Sequence, residues 1–517
     1  MSEVELVRSD LAHGVNPTAD IAVIDVGSNT TRLVLFETTP AGGLRSVYET
    51  KEIPRLGQDL GPDHSLAPAA IERGYRAMRR FARQLEMMGE PPVIAVATSA
   101  VRDAPNGPEF VRRVRRDANI ALRIIPPEEE ARLAYLGVAG AWELDRDAIF
   151  DLGGGSLQAI TTQEGKIDHV ESVRLGALRL TDRFLRHDPP KRHEIDDLRS
   201  HVEAELRHVP RFQPRKDSKL FAVGGTMRSV ARVSISHRHY PLPQVHGYAL
   251  SRVEIEELCE RFVHLKTDRR RDIEGLSGHR ADVIIAGCLV AEELLDRFDL
   301  PGITVSGTGI REGIVYDRLQ VPLPGPSEIL AHRSVTAAAR AFGFSLPHGD
   351  QVCRTAVELF DLLAGRYGWQ REERLALMVA AWMHDVGSVI EIWRHPVHSA
   401  YLLRHAAVFG LSHRQTLLAS LAAAMHEGDE PPGDWVHQWR PPLRPRDDTI
   451  ARGLGLLLFT AETLDGSAVR FRLRRSPRAL IIRPAGPKWL APSDRTTERL
   501  RKPFRRVLGL EVMTDAN

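Results

Sequence analysis

The chain has 517 residues, 43% of them hydrophobic and 27% charged, with a formal net charge of +2. That length is too great for one hydrophobic core and predicts roughly three or four domains. Three cysteines (Cys259, Cys288 and Cys353) without CxxC spacing exclude a disulfide frame and thiolate zinc, and no run reaches the ~20 apolar residues of a membrane span. The first residues lack the apolar core of a secretion signal, so the expected setting is cytoplasmic with no membrane partner.

Residues 1–19 read as a flexible N-terminus. Alternating and β-branched runs predict strands over Ile21–Asp25, Thr31–Glu37 and Leu44–Lys51. Apolar residues at Ile71, Tyr75, Met78, Phe81 and Leu85 predict a helix over Ala69–Met88, stopped by Pro91 and Pro92. A strand over Val93–Ala97, a helix carrying Phe110–Arg116 and a strand over Ala121–Ile125 follow. Pro126 and Pro127 then open a helix that runs through EEEARLAYLGVAGAW. The strand Ala148–Asp151 begins an echo: AIFDLGGGSLQAITT repeats the pattern of IAVIDVGSNTTRLVLFE, a buried strand ending in an aspartate, a glycine turn with a hydroxyl, and a second strand. Two more glycine turns, at Gly224–Thr226 and Gly307–Gly309, each join a strand to a helix. The repetition predicts two related α/β lobes facing one cleft. VPLPGPSE marks a linker after Leu319, the stretch from Ile329 to about Leu464 reads as helical, and short β-like runs (Phe471–Leu473, Ala479–Ile482) end the chain in basic surroundings.

A turn free of Cβ atoms can aim several amides at one anion, so Gly27, Ser28, Asn29 and Thr30, with Gly153, Gly154, Gly155 and Ser156, are candidate phosphate grips; Gly224, Gly225 and Thr226 form a third. An aspartate beside a phosphate needs a cation between them, and an oxygen donor set points to Mg²⁺ or Mn²⁺ held by Asp25 and Asp151. Glu128, Glu129 and Glu130 open a helix; at about 100° per residue they diverge, so one can face the cleft as a base for water. Arg102 could hold the transferring phosphate, whereas Arg174 and Arg228 read as surface ion-pair residues.

The segments IDVGSNTTRL, TSAVRDA, EEARLAYLGV, IFDLGGGSLQ, AVGGTMRSVA, GHRADVIIAG and VSGTGIREGIVYD, in this order over about residues 20–318, resemble the exopolyphosphatase/guanosine pentaphosphate phosphohydrolase (Ppx/GppA) family. The resemblance implies two actin-like (ribonuclease H-like) lobes, 20–133 and 134–319, around a cleft. It assigns the catalytic glutamate to Glu130, the second carboxylate to Asp151, the first-loop carboxylate to Asp25 and the arginine to Arg102. Pro126, Pro127 and Glu128 depart from the usual family sequence before that glutamate.

The long family members add an all-α HD-like domain, here 327–468, followed by a small basic C-terminal α+β segment, 469–517. For the HD-like domain the resemblance implies a second metal, a transition ion, on His348, His384 and Asp385, with Glu462 in the position usually held by aspartate; His395, His398 and His426 are further histidines that helical spacing can bring to one metal. The alternative is that these residues serve packing or dimer contacts. The leading function implied is exopolyphosphatase action on inorganic polyphosphate; the alternatives are pppGpp 5'-phosphohydrolysis, phosphotransfer by an actin-superfamily kinase, and a nonenzymatic sensing module. The arginine-rich end suits a polyanionic partner or a solvated surface, without a specific nucleic-acid motif. A homodimer is expected from the resemblance alone.

Overall fold

The computed structural model describes residues 20–61, 63–428, 435–465, 471–484 and 494–514; the expected flexible N-terminus lies outside them. Ile21–Val26 (β1), Thr31–Thr38 (β2) and Leu44–Glu52 (β3) form an antiparallel meander, and Val93–Ala97 (β4) and Leu122–Ile124 (β5) add parallel strands in the order β3-β2-β1-β4-β5. The second sheet contains Ala148–Leu152 (β6), Leu157–Gln163 (β7), Lys166–Val173 (β8), Leu220–Val223 (β9), Ala249–Ser251 (β10) and Gly302–Val305 (β11). Its order, β8-β7-β6-β9-β11, repeats the first sheet's order and strand directions, with β10 added at the edge. This is the expected pair of related α/β lobes.

Strand β1 shows how the sheet places Asp25. Side chains alternate between faces. Ala22, Ile24 and Val26 pack with Met78, Phe81, Phe110 and Val114, while Ile21 and Val23 pack on the opposite face with Leu133, Ile314 and Val315. Asp25 falls on the second face, toward the helices Pro127–Ala139 and Ile310–Leu319. These helices cross closely because glycine meets backbone. A Cβ on Gly137 would lie 2.0 Å from the Gly309 carbonyl oxygen, and one on Gly313 only 1.8 Å from that of Leu133.

Two compact units emerge. The first runs to Arg238 and resumes over Val245–Gly325, so it holds both lobes; the second takes His239–Gln244 and the chain from Pro326 onward. The excursion is anchored within the second unit by Leu242, which is fully buried in the helical core, and by Tyr240, whose hydroxyl meets His413 Nδ1 at 2.9 Å. The helical core also buries Leu480, Ile482 and Val512 of the small sheet made by Phe471–Arg475 (β12), Ala479–Pro484 (β13) and Glu511–Thr514 (β14). The basic end therefore shares the helices' core. It also contains a helix, Asp494–Leu508, so this end is the expected α+β segment, although the sequence reading located only its short β-like runs. Its charge-dense repeat (RTTERLRKPFRR) hides the few apolar residues, Leu500, Phe504 and Leu508, that turn inward at helical spacing.

The glycine-mediated crossing leads to a testable consequence. Gly313→Ala is expected to lower the unfolding temperature of the first unit and to cost about 1–3 kcal/mol through overpacking against fixed backbone, read by calorimetry. A surface change such as Arg318→Ala on the same helix should leave that transition in place.

Candidate active site

The two four-residue loops between β1 and β2 and between β6 and β7 are built alike. Gly27 N–H donates to Thr30 O at 3.1 Å, and Gly153 N–H donates to Ser156 O at 3.0 Å. The hairpin registers match too, Asp25 opposite Arg32 and Asp151 opposite Gln158. The loops touch across the cleft. A Cβ on Gly154 would stand 3.1 Å from the Asn29 amide nitrogen, and one on Gly155 2.6 Å from Ser28 Oγ. The Gly153 and Gly154 carbonyls accept from the first amides of the helix Ala177–Phe184, and Arg179 Nε donates to Gly155 O. With those carbonyls committed, the amides of the loop are the groups left for a ligand. Those of Ser28, Asn29, Gly154 and Gly155 donate to nothing among the described residues.

Asp25, Glu130 and Asp151 line one cavity of about 120 Å³ with Gly27, Ser28, Asn29, Thr30, Gly153, Gly154, Ser156, Gly224 and Gly225. Gly155 turns to a smaller neighbouring cavity, and Thr226 is buried beneath the Gly224–Gly225 turn without lining the cleft. Gly224 needs its glycine: φ is +107°, and a Cβ would lie 2.3 Å from Leu152 O. Asn29 Nδ2 and Oδ1 and Thr30 Oγ1 are buried with no hydrogen-bond partner, which a bound oxyanion and its hydration would satisfy.

The carboxylates are electrostatically poised. Burial pushes Asp25 up, offset in part by Arg311 and Arg32. Burial, with the charge of Asp25 adding to it, lifts Asp151 to about 6. Glu130 rises to about 7, mainly through burial, against the hydrogen bond and charge of Arg102 and with help from Asp151 and Asp25. Neither Asp25 nor Asp151 has an ion-pair partner among the described residues. Two buried, mutually repelling carboxylates beside unpartnered oxygen and amide donors fit a hard divalent cation such as Mg²⁺ or Mn²⁺.

Helix geometry separates the three glutamates. Glu129 leaves the cleft and pairs with Arg123 at 2.7 Å, while Glu130 turns inward. Arg102 does not line the cavity. Its Nη1 donates to Glu130 Oε2 at 2.6 Å and to Ile125 O at 3.2 Å, so its guanidinium serves the glutamate. Arg174 is exposed beside the smaller cavity. Arg228 corrects the surface reading given to it. It lines the main cleft without an ion pair, and burial together with Arg311 and Arg32 drags it to about 9, still charged at neutral pH.

Sequence reasoning missed three more arginines. Arg280 lines the cleft without a carboxylate partner and is drawn down to about 10 by burial and by Arg32 and Arg232; Arg32 and Arg311 share Glu49. Only Arg32 had a usable signal, its place opposite Asp25 in a hairpin whose register the alternation predicts.

No helix among the described residues is long and apolar enough to cross a membrane. Residues 12–321 match the Ppx/GppA phosphatase family, and residues 330–430 match Ppx/GppA phosphatase, domain III. Among solved structures, the Aquifex aeolicus member of that family is similar at 28% identity and a TM-score of 0.50, covering 58% of this chain and 97% of its own. An exopolyphosphatase from Cytophaga hutchinsonii is similar at 26% identity and a TM-score of 0.54, covering 59% of this chain and 99% of its own. An exopolyphosphatase-like protein gives 27% identity and a TM-score of 0.53 over 58% of this chain and 98% of its own. With a family match across more than half its length, and with the paired loops to explain it, the protein belongs to the Ppx/GppA phosphatase family.

Proposed function

We propose that the cleft hydrolyses the terminal phosphoanhydride of inorganic polyphosphate, with Glu130 as the base for water. The observation that carries this reading is a buried glutamate poised near pH 7, in the same cavity as two unpaired aspartates and two amide-bearing loops. Polyphosphate is favoured over pppGpp by charge. Arg228 and Arg280 lack carboxylate partners, and exposed Arg232 and Lys51 continue the cationic run; burial, then Arg32, Arg280 and Arg232, lowers the lysine's pKa. The cavity lining includes no aromatic side chain to stack on a guanine. The Cytophaga hutchinsonii relative, named an exopolyphosphatase, supports the same choice.

Asp25 and Asp151 would hold the Mg²⁺ or Mn²⁺, which when bound neutralises phosphate oxygens and makes the terminal phosphorus more electrophilic. The two glycine loops fix the non-bridging oxygens of the terminal group through their amides, Asn29 and Thr30. Arg228, Arg280 and Arg311 hold the phosphates behind it. Glu130, locked by Arg102, orients a water and accepts its proton as the water oxygen bonds to phosphorus and the bridging P–O bond breaks. The shortened chain leaves on its bridging oxygen, and Glu130 returns the proton as orthophosphate departs.

Three outcomes test this reading. Side-by-side turnover of long-chain polyphosphate and pppGpp should favour polyphosphate; a kcat/KM strongly favouring pppGpp reverses the substrate assignment. Glu130→Ala should lower kcat about 10²- to 10⁴-fold while binding of the polyanion persists, and undiminished phosphate release removes Glu130 from the mechanism.

The pH profile supplies the third. Glu130 works ionised, so the acid limb of kcat/KM should fall near pH 7, and Arg102→Gln should move it about one unit alkaline by removing the charge that holds the carboxyl down. A limb in the ordinary glutamate range contradicts the assignment. The same group also affects stability. Its folded pKa lies above its ordinary 4.5, so the folded state is favoured below that value and loses this advantage as pH rises through 7. Glu130→Gln should therefore stabilise the metal-free protein at pH 8 by about 1–3 kcal/mol and have little effect at pH 4.

A further inference from the structure

The loop that follows β3 reaches from the first lobe to the second. Arg55 sits on it at φ +50°, in the left-handed region that few residues other than glycine occupy. A backbone held against its preference marks a position that its surroundings fix. Both lobes do the fixing.

On the side of the first lobe the bonds are made by backbone. Arg55 N–H donates to Asn29 O at 3.2 Å, and Gly57 N–H donates to Ser28 O at 2.9 Å. The loop therefore backs onto the first phosphate grip, whose Asn29 side chain has Nδ2 and Oδ1 buried without a hydrogen-bond partner.

On the side of the second lobe the bonds are made by side chains. Arg55 Nη1 donates to the Asp282 carboxylate, and its Nη2 donates to His279 O at 3.3 Å. Lys51 Nζ, near the end of β3, donates to His279 Nε2 at 2.9 Å. Burial, then Lys51, Arg280 and Arg55, draws His279 down to about 4, so at neutral pH its imidazole is uncharged and accepts from the lysine.

His279 and Asp282 flank Arg280. The turn between them is tight, with Arg280 N–H donating to Ser277 O at 2.8 Å. The Arg280 guanidinium rests on the Gly225 turn, where a Cβ would lie 2.0 Å from Nη2. Arg55 thus holds the chain on both sides of a cleft arginine, while its own backbone is bonded to the loop that grips the terminal phosphate. The side chains of Arg55 and Asp282 are 23% and 31% exposed, so their ion pair adds little to stability. What it fixes is geometry.

We infer that Arg55 is a positioning residue that ties the Ser28–Asn29 loop of the first lobe to the Arg280 turn of the second. It sets the distance between the grip on the terminal phosphate and the guanidinium over the phosphates behind it. The inference rests on the role proposed above for Arg280. Arg55 itself does not line the cavity. The spacing matters because successive phosphates are covalently fixed relative to one another, and a group displaced by about 1 Å meets the wrong oxygen.

The test is a double-mutant cycle in the full chain with Mg²⁺. It is run on whichever of polyphosphate and pppGpp the native chain turns over faster, so a reversed substrate assignment leaves this inference to stand or fall by itself. Arg55→Asn keeps a residue that tolerates left-handed backbone but is too short to reach Asp282. It should preserve the circular dichroism and the unfolding temperature and leave kcat at saturation nearly unchanged. It should raise KM about tenfold, the loss expected of a hydrogen bond to a charged group. Arg280→Gln should raise KM as well. Arg55→Asn added to Arg280→Gln should cost nothing further, because the positioned group is already gone. Asp282→Asn opens the same contact from the other side and should give the same pattern, so a poorly folding Arg55 variant does not end the test. An unchanged KM in the single variants, or effects that multiply in the double variants, overturns the inference, since an arginine with a merely structural role acts independently of Arg280.

Discussion

The two glycine loops are in contact, and the second leaves no room for a side chain where it meets the first. Gly154 lies on the Asn29 amide and Gly155 lies on Ser28 and Ser99. This contact brings two otherwise separate strand ends to one cavity and so places Asp25 and Asp151 within reach of the same ligand. It also removes water from both carboxylates, so burial is the largest influence on each. Close approach and charge frustration are thus one feature. The loops meet through glycine, and where they meet they bury two acids that repel each other.

Around this contact the charge balance is uneven. Glu49 is shared by Arg32 and Arg311, and Asp282 answers Arg55, but Arg228 and Arg280 lack carboxylate partners in the cleft. Crowded guanidiniums depress one another and so store repulsion in the cleft. Arg102 stands apart from this group. By spending its hydrogen bonds on Glu130 and Ile125 it keeps a buried glutamate from drifting to a permanently neutral state, which leaves the carboxyl near the middle of the physiological range.

The helical unit uses a different device for a related purpose. Its charged core pairs are conventional: Arg414 binds Asp447 at 2.6 Å and Glu373 at 2.7 Å, a buried cation closed off by carboxylates. At the helix ends the balance tips the other way, with imidazole lone pairs and carboxylates facing one another and no lysine or arginine paired with them among the described residues. Backbone carbonyls fix the tautomers of His384, His395 and His426.

How much of this was legible beforehand follows the range of each interaction. The alternation in β1 and β2, the glycine turns after Asp25 and Asp151, and the divergence of Glu129 from Glu130 are local. Period-2 and 100°-per-residue geometry reveals them from neighbouring letters. The partnership of Arg102 with Glu130 spans 28 positions, that of Arg32 with Glu49 spans 17, and Arg311 reaches Glu49 from 262 positions away. No periodicity encodes such distances, and a surface arginine and a cleft arginine look identical in a string, which is why Arg228 was misread. Helical spacing marked His395 and His426 as histidines that could converge, but that they meet each other across 31 positions was hidden likewise. The sequence alone determined the repeated lobes and their loop chemistry, because backbone turns and strand periods are written in adjacent residues. Only the tertiary structure decided which charges go unanswered, because burial and Coulomb forces act between side chains that the chain order leaves far apart.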